Sequence, residues 1–116
     1  MTIHDAIPRD EVLVTLFLAA GGRLEDVLPP KWLAELASVV AYSDAVFDDD
    51  DRAASRADSA ELLAGHGLDV EERILWHFAR AVTADPTCAQ LVRRHLPADV
   101  MAEHDASAAQ AAARRP

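Results

Sequence analysis

The chain has 116 residues, of which 51% are hydrophobic, and 20 acidic against 11 basic side chains give it a formal net charge of −9. This length fits one domain that buries about two-thirds of its unfolded surface, so neither disulfides nor a metal are needed for stability. The acidic balance repels phosphate backbones and argues against nucleic-acid binding. It favours solubility as its role, with attraction of a basic protein partner as the alternative.

The single cysteine and the apolar runs indicate the compartment. Cys88 has no second cysteine with which to form a disulfide, which favours a reducing environment. The sequence begins with MTIHDAIPRDEV, which carries acids where a signal peptide has positive charge. The longest apolar run, residues 12–20, is too short to span a bilayer. We therefore expect a cytoplasmic protein with no membrane partner.

The first predicted element is a helix with Pro8 in its first turn, which runs to about Ala20 and is ended by Gly21 and Gly22. The segment VLVTLFL also has β character, but no other segment offers a strand with which it would pair. As a helix it is apolar almost all round, which is typical of a central helix in a bundle or of a subunit interface. Its large side chains divide between two sides: Leu13, Leu16 and Phe17 on one, Val14 and Leu18 on the other.

A short helical turn is predicted over residues 23–28, and a longer helix runs from Pro30 to about Phe47. The apolar stripe of the longer helix contains Trp32, Leu36, Val39, Val40, Ser43 and Phe47. The opposite side carries a row of small residues: Ala34, Ser38, Ala41 and Ala45. This row is compatible with close packing of a second helix, and equally with a plain exposed face, because alanine is also the best helix former.

Four consecutive aspartates occupy residues 48–51, and their mutual repulsion predicts a solvated loop. They do not match a calcium-binding loop, because the sixth residue from Asp48 is Ala53 instead of glycine, and the twelfth is Ser59 instead of glutamate. An alanine-rich helix is predicted over residues 52–64, ending at Gly65 and covering the surface of the bundle.

The helix predicted over residues 70–84, with Asp69 as its N-cap, carries the most unusual side chain of the sequence, that of Trp76. Its apolar stripe consists of Ile74, Leu75, Phe78 and Val82. Trp76 projects opposite this stripe, in the neighbourhood of Glu72, Arg80 and Thr83. A large aromatic side chain in that position needs a second surface to cover it, either another part of the chain or a partner.

Two further helices complete the predicted bundle. Asp85 and Pro86 begin one that runs to Leu96, and Pro97 begins the last. The inward side chains of the first are expected to be Cys88, Val92, His95 and Leu96, and the apolar edge of the second to be Val100, Met101 and His104. Residues 106–116 have nothing large to bury and are predicted to fray or be disordered. The sequence thus predicts an all-α fold, a compact bundle of five to six short helices, in a single domain over residues 1–105.

The residues that carry chemistry form no recognisable site. The five histidines include no pair at the i, i+3 or i, i+4 spacing of a helical metal site, and no phosphate-binding glycine loop occurs. Cys88 lies in the first turn of a predicted helix, where a thiolate is stabilised, but Asp85 opposes that charge and His95 lies about 10 Å further along the axis. Cys88 is therefore interpreted as a small buried apolar residue, and His77 and His95 as hydrogen-bonded residues at or near the core. We expect no enzyme activity, cofactor or metal.

The function predicted from these features is that of a non-enzymatic acidic interaction module: an adaptor, inhibitor, immunity protein or regulator with a basic protein partner. The two-sided first helix further predicts a homodimer. The residues expected to bind a partner are Trp76, Val14, Leu18 and Arg80.

The alternative is a small-ligand-binding or enzyme-accessory protein with an internal apolar cavity lined by Cys88, Phe17, Trp32, Phe47 and Phe78. A helix-turn-helix regulator is disfavoured, because no helix has enough basic residues to lie on DNA.

Overall fold

A computed structural model describes residues 9–65 and 67–114, and within these ranges it contains seven helices and no strand. They are α1 (Asp10–Ala19), α2 (Leu24–Val27), α3 (Pro30–Ala45), α4 (Asp49–Ala64), α5 (Val70–Ala84), α6 (Pro86–His95) and α7 (Ala98–Ala113). The predicted all-α bundle is confirmed, with seven helices in place of five to six because the short turn over 24–27 is a helix of its own. The predictions for residues 1–8, including Pro8 and His4, for His66 and for residues 115–116 lie outside the described residues.

Helix α5 occupies the centre of the bundle and packs against α1, α3, α4 and α6. Its buried side chains surround much of its circumference: Leu75, Phe78, Ala79, Ala81, Val82 and Thr83. Helix α1 packs at the edge, against α5 and α6, so the prediction that it lies in the centre of the bundle is wrong. The other alternative, a subunit interface, stays a prediction.

The ends of the helices follow from short-range hydrogen bonds. Asp69 accepts from the backbone N–H of Glu72 at 2.8 Å and Asp85 from that of Thr87 at 2.9 Å, which confirms both as N-caps. Helix α1 ends in a Schellman motif, in which Gly22 N–H donates to the carbonyl of Phe17 at 2.9 Å and Gly21 adopts a φ of 91°. A positive φ favours glycine, which explains why the helix ends there.

The aspartate run forms the start of α4, so the predicted solvated loop is wrong. Asp48 and Asp51 make a reciprocal capping box, in which each side chain accepts from the other residue's backbone N–H, at 2.8 and 3.1 Å. Asp49 and Asp50 lie in the first turn, where the positive end of the helix dipole stabilises carboxylates. Interaction with the helix terminus thus offsets the repulsion between the four charges.

Helix α7 continues through residues 106–113, which were expected to fray. It packs along α3, and Ala108 is 1% exposed. The small side chain of Ala108 allows the two helices to approach closely, so this part of α7 is buried without large apolar side chains. The two interpretations of the row of small residues on α3, close helix packing and a plain exposed face, each hold for part of the row. Ala41 is buried, whereas Ala45 is exposed.

One arginine joins three helices at the α7 side of the bundle. Arg93 of α6 donates two hydrogen bonds to the carboxylate of Asp105 in α7, at 2.7 and 3.1 Å, and one to Asp44 in α3 at 2.7 Å. The hydrogen bonds to Asp105 are the main cause of a raised pKa for the Arg93 guanidinium, which therefore stays charged at any working pH.

Among the described residues, no helix is long and apolar enough to cross a membrane.

Candidate functional site

An open apolar groove of about 330 Å³ lies between α1 and α5. We call it the α1–α5 groove, and the residues that line it are Asp10, Leu13, Val14, Phe17, Val27, Ile74, His77 and Phe78. The rings of Phe17 and Phe78 meet edge to face within it, with centroids 6.1 Å apart and an interplanar angle of 86°. Contacts between the two aromatic rings thus fix one helix against the other.

The end of α1 shapes this groove through a glycine. A Cβ atom placed on Gly22 would lie 2.4 Å from the ring of Phe17, closer than real Cβ atoms approach any neighbour. The ring of Phe17 therefore occupies the space that a side chain at residue 22 would fill. The two glycines at the end of α1 have separate roles, since Gly21 supplies the backbone conformation and Gly22 supplies the space.

A polar cluster of Asp10, His77 and Arg80 closes one end of the groove. The Nδ1 atom of His77 donates to Oδ1 of Asp10 at 3.0 Å, and Nη1 of Arg80 lies 3.4 Å from Oδ2 of the same carboxylate. The Asp10 side chain is 18% exposed, so its charge is held close to its two partners. The hydrogen bond predicted for His77 is present, but its side chain is 51% exposed and lines the groove instead of lying in the core. Arg80, predicted to bind a partner, is instead paired with Asp10 of its own chain.

The outward side of α1 is apolar and uncovered. Val12, Leu13 and Leu16 are 45%, 50% and 59% exposed, and we call these three residues the outer α1 face. Val14 and Leu18, predicted to bind a partner, are only 5% and 4% exposed and belong to the core. The side of α1 that was predicted to bind a partner is therefore the buried side. A partner docking on α1 would contact Leu13 and Leu16 on the exposed side.

Trp76 is covered by another part of its own chain. It is half-buried, packs against the hydrophobic core and lines a second groove together with α4 and Phe47. The facing α4 residues are Asp51, Ala54, Ser55, Asp58, Ser59 and Leu62. Of the two covers considered from the sequence, the structure contains the intramolecular one. Trp76 therefore no longer argues for an interface, and that argument now depends on α1.

The thiol of Cys88 lies in the core of the described part of the chain. Cys88 is 1% exposed, which confirms it as a small buried residue. Burial raises the pKa of its thiol, and the charges of Asp85 and Glu11 raise it further against a hydrogen bond with Thr15. Among the described residues no group of three histidine, cysteine or acidic side chains could hold a metal.

His95 was expected to point inward, and that prediction is wrong because its side chain is exposed. The buried stripe of α6 is centred on Ala89 and Val92, and His95 lies at its edge in the last turn. The residues proposed for an internal cavity are also dispersed. Phe17 and Phe78 line the α1–α5 groove, whereas Phe47 lines the groove beside Trp76 and Cys88 belongs to the core; Trp32 packs half-buried against that core.

Comparisons of this chain with protein-family models, with curated proteins and with solved structures find no match.

Proposed function

We propose that this chain is a non-enzymatic acidic interaction module, an adaptor, inhibitor, immunity protein or regulator, that binds a basic amphipathic helix of a partner protein in the α1–α5 groove. The observation that carries the proposal is the open apolar groove beside exposed Leu13. Clustered exposed apolar side chains are typical of sites that another molecule covers.

The shape and length of the groove fit a helix. Its long wall is the ten-residue α1, about 15 Å long at 1.5 Å per residue. A partner helix of roughly three turns would match that length, with apolar anchors at i, i+3 or i+4, and i+7. Leu13, Phe17 and Ile74 would contact those anchors, because all three line the groove and remain at least partly exposed.

Charge selects a basic partner. Asp26 precedes the groove residue Val27, and Glu71 precedes Ile74 by three residues, so both acids lie in the segments that border the groove. Both are exposed, and neither forms an ion pair with another described residue. Together with the net charge of −9, they would attract lysine and arginine on the polar side of a bound helix.

We also propose that the protein has no catalytic activity and that it acts in the cytoplasm. The polar groups at the end of the groove, Asp10, His77 and Arg80, bind one another, and the thiol of Cys88 is buried elsewhere. This arrangement supports a binding role. A lone cysteine is typical of a reducing compartment, so the module is proposed to act in the cytoplasm.

Substitution within the groove tests this function. Ile74→Glu places a charge on the apolar wall and is expected to weaken binding of a leucine–lysine model helix at least about tenfold. Val70→Glu is the matched control, because Val70 lies one turn earlier on α5, is 72% exposed and does not line the groove. Binding is measured by NMR titration of labelled protein, after circular dichroism has shown that both variants fold.

The expected shifts map to Leu13, Phe17, Ile74 and His77, and the affinity falls as salt rises. Equal affinity of the two variants, or shifts confined to other helices, would contradict the proposal. The same pair of variants then identifies the physiological partner, as a protein that crosslinks to the wild type and to Val70→Glu but not to Ile74→Glu.

A second candidate function is supported by the size of the groove. At about 330 Å³ it lies at the lower end of the ~300–1,000 Å³ typical of small-molecule sites, with Asp10 and His77 as convergent polar groups. An apolar molecule with one hydrogen-bonding group would fit this chemistry. Native mass spectrometry of the purified protein distinguishes the candidates, because a stoichiometric added mass that Ile74→Glu loses would indicate the ligand.

A further inference from the structure

From Val12 to its end, α1 differs from the rest of this acidic chain in carrying no charged residue. Residues 12–22 contain no aspartate, glutamate, lysine or arginine, although the whole chain carries 20 acidic and 11 basic side chains. This run includes the outer α1 face, and the exposed Thr15, Ala19 and Ala20 beside it are small. Two copies of a chain of charge −9 repel each other, and a charge-free apolar surface is where they approach at the least cost.

We propose that the outer α1 face joins two copies of this chain into a homodimer in which the two α1 helices pack antiparallel across a two-fold axis. A two-fold interface uses the same patch on both copies, so one exposed helix face is sufficient to form a closed pair. Leu13 of each copy packs against the partner's Leu16, so the two-fold axis relates two equivalent contacts. Each leucine, about half exposed in the single chain, becomes buried.

Arg9 supports the antiparallel direction. When Leu13 lies opposite the partner's Leu16, the residue numbers of facing positions sum to 29, and Arg9 faces the partner's Ala20 at the end of its α1. The last turn of α1 contains no basic residue that would interact with the negative end of its dipole. The Arg9 side chain is 84% exposed, and its ion pair among the described residues is a long one of 3.8 Å with Glu11, which leaves it able to supply that cation.

The size of the face limits the affinity. A ten-residue helix is about 15 Å long, so the paired surface is smaller than the ~800 Å² per partner of a standard stable complex. The dimer is therefore expected to form at tens of micromolar and to dissociate on dilution. The dimer and the partner helix proposed for the groove share Leu13, which lines the groove, whereas Val12 and Leu16 do not line it.

Sedimentation velocity of the full chain at tens of micromolar tests the dimer. Wild type is expected to dimerise more strongly at high salt than at low salt, since salt screens the repulsion between like-charged copies. Leu16→Glu should weaken the dimer at least about a hundredfold, because each copy then places a charge against the partner's Leu13 in place of a buried leucine. Leu62→Glu is the matched control, a leucine 43% exposed on α4, and should leave the dimer unchanged.

A second variant keeps the test valid if Leu16→Glu fails to fold. Arg9→Glu reverses an exposed charge and should weaken the dimer about three- to tenfold, whereas Arg94→Glu on α6 should not. A monomer at every salt concentration would overturn the proposal. So would a dimer that dissociates as salt rises, or one that persists in folded Leu16→Glu. The chain is measured alone, so these results do not depend on whether the groove binds a helix.

Discussion

The indole of Trp76 is held between the core and α4, and its Nε1–H is buried without a hydrogen-bond partner among the described residues. A buried donor left unpaired costs about 1–3 kcal/mol, so this position combines favourable aromatic packing with an unfavourable polar atom. Replacing the ring with a smaller aromatic removes the second contribution and keeps part of the first. The two contributions can therefore be separated by two substitutions at one residue.

We predict that Trp76→Ala lowers the free energy of unfolding by about 2–3 kcal/mol, less than for a fully buried tryptophan because the side chain is half-buried. Trp76→Phe should stay within about 1 kcal/mol of wild type, because loss of the unpaired N–H offsets the lost area. Urea unfolding measures both, with Val70→Ala on the exposed side of α5 as control. A Trp76→Ala variant of unchanged stability but impaired association would instead support Trp76 as a partner-binding residue.

Single residues were predicted well where one side of a helix is apolar and poorly where both are. The stripe of Leu75, Phe78 and Val82 was identified from periodicity, because polar residues flank it. On α1 both sides are apolar, so periodicity could not decide whether Val14 or Leu16 is buried. That choice depends on which side α5 and α6 cover, and tertiary packing is not encoded in the spacing of one helix.

Among the helices, α7 is joined to α3 and α6 by one ion cluster in addition to its packing along α3. Arg93→Ala removes the hydrogen bonds to Asp105 and Asp44, and leaves two carboxylates facing each other. We predict a loss of roughly 1–2 kcal/mol, discounted because the Arg93 side chain is still 26% exposed. Hydrogen exchange should show faster exchange in α7 than in α5, and the exposed neighbour Arg94→Ala should show neither effect. Uniformly faster exchange in all helices would contradict a local role for Arg93.

The boundaries of the helices were largely predictable, because caps and glycines act within a few residues. Asp69 and Asp85 were identified as N-caps from their positions before apolar periodic segments. The sequence does not predict the start of α4, because repulsion among four aspartates favours a loop. The reciprocal hydrogen bonds of Asp48 and Asp51 stabilise a helix end there instead. The length of α7 was missed because the burial of Ala108 depends on how closely α3 approaches.

For the molecule as a whole, excess negative charge opposes folding into a small volume. With a net charge of −9, the acidic side chains repel one another more strongly in the compact state than in the unfolded chain, and salt screens that repulsion. We predict that moderate sodium chloride raises the free energy of unfolding, by an amount on the order of 1 kcal/mol, in line with the small size of exposed charge interactions. The measurement uses Leu16→Glu, so that dimerisation does not contribute. A fall with salt would mean that ion pairs such as Arg93–Asp105 outweigh the net repulsion.

The contact between Gly22 and the ring of Phe17 also has an evolutionary consequence. A side chain at residue 22 requires the ring of Phe17 to move from its place in the groove, so the two positions are expected to change together among descendants of this sequence. Lineages that keep the groove should keep an aromatic residue followed five positions later by glycine. Lineages in which residue 17 becomes small should admit any residue at 22, and the covariation of these two positions would mark which relatives retain the same pocket.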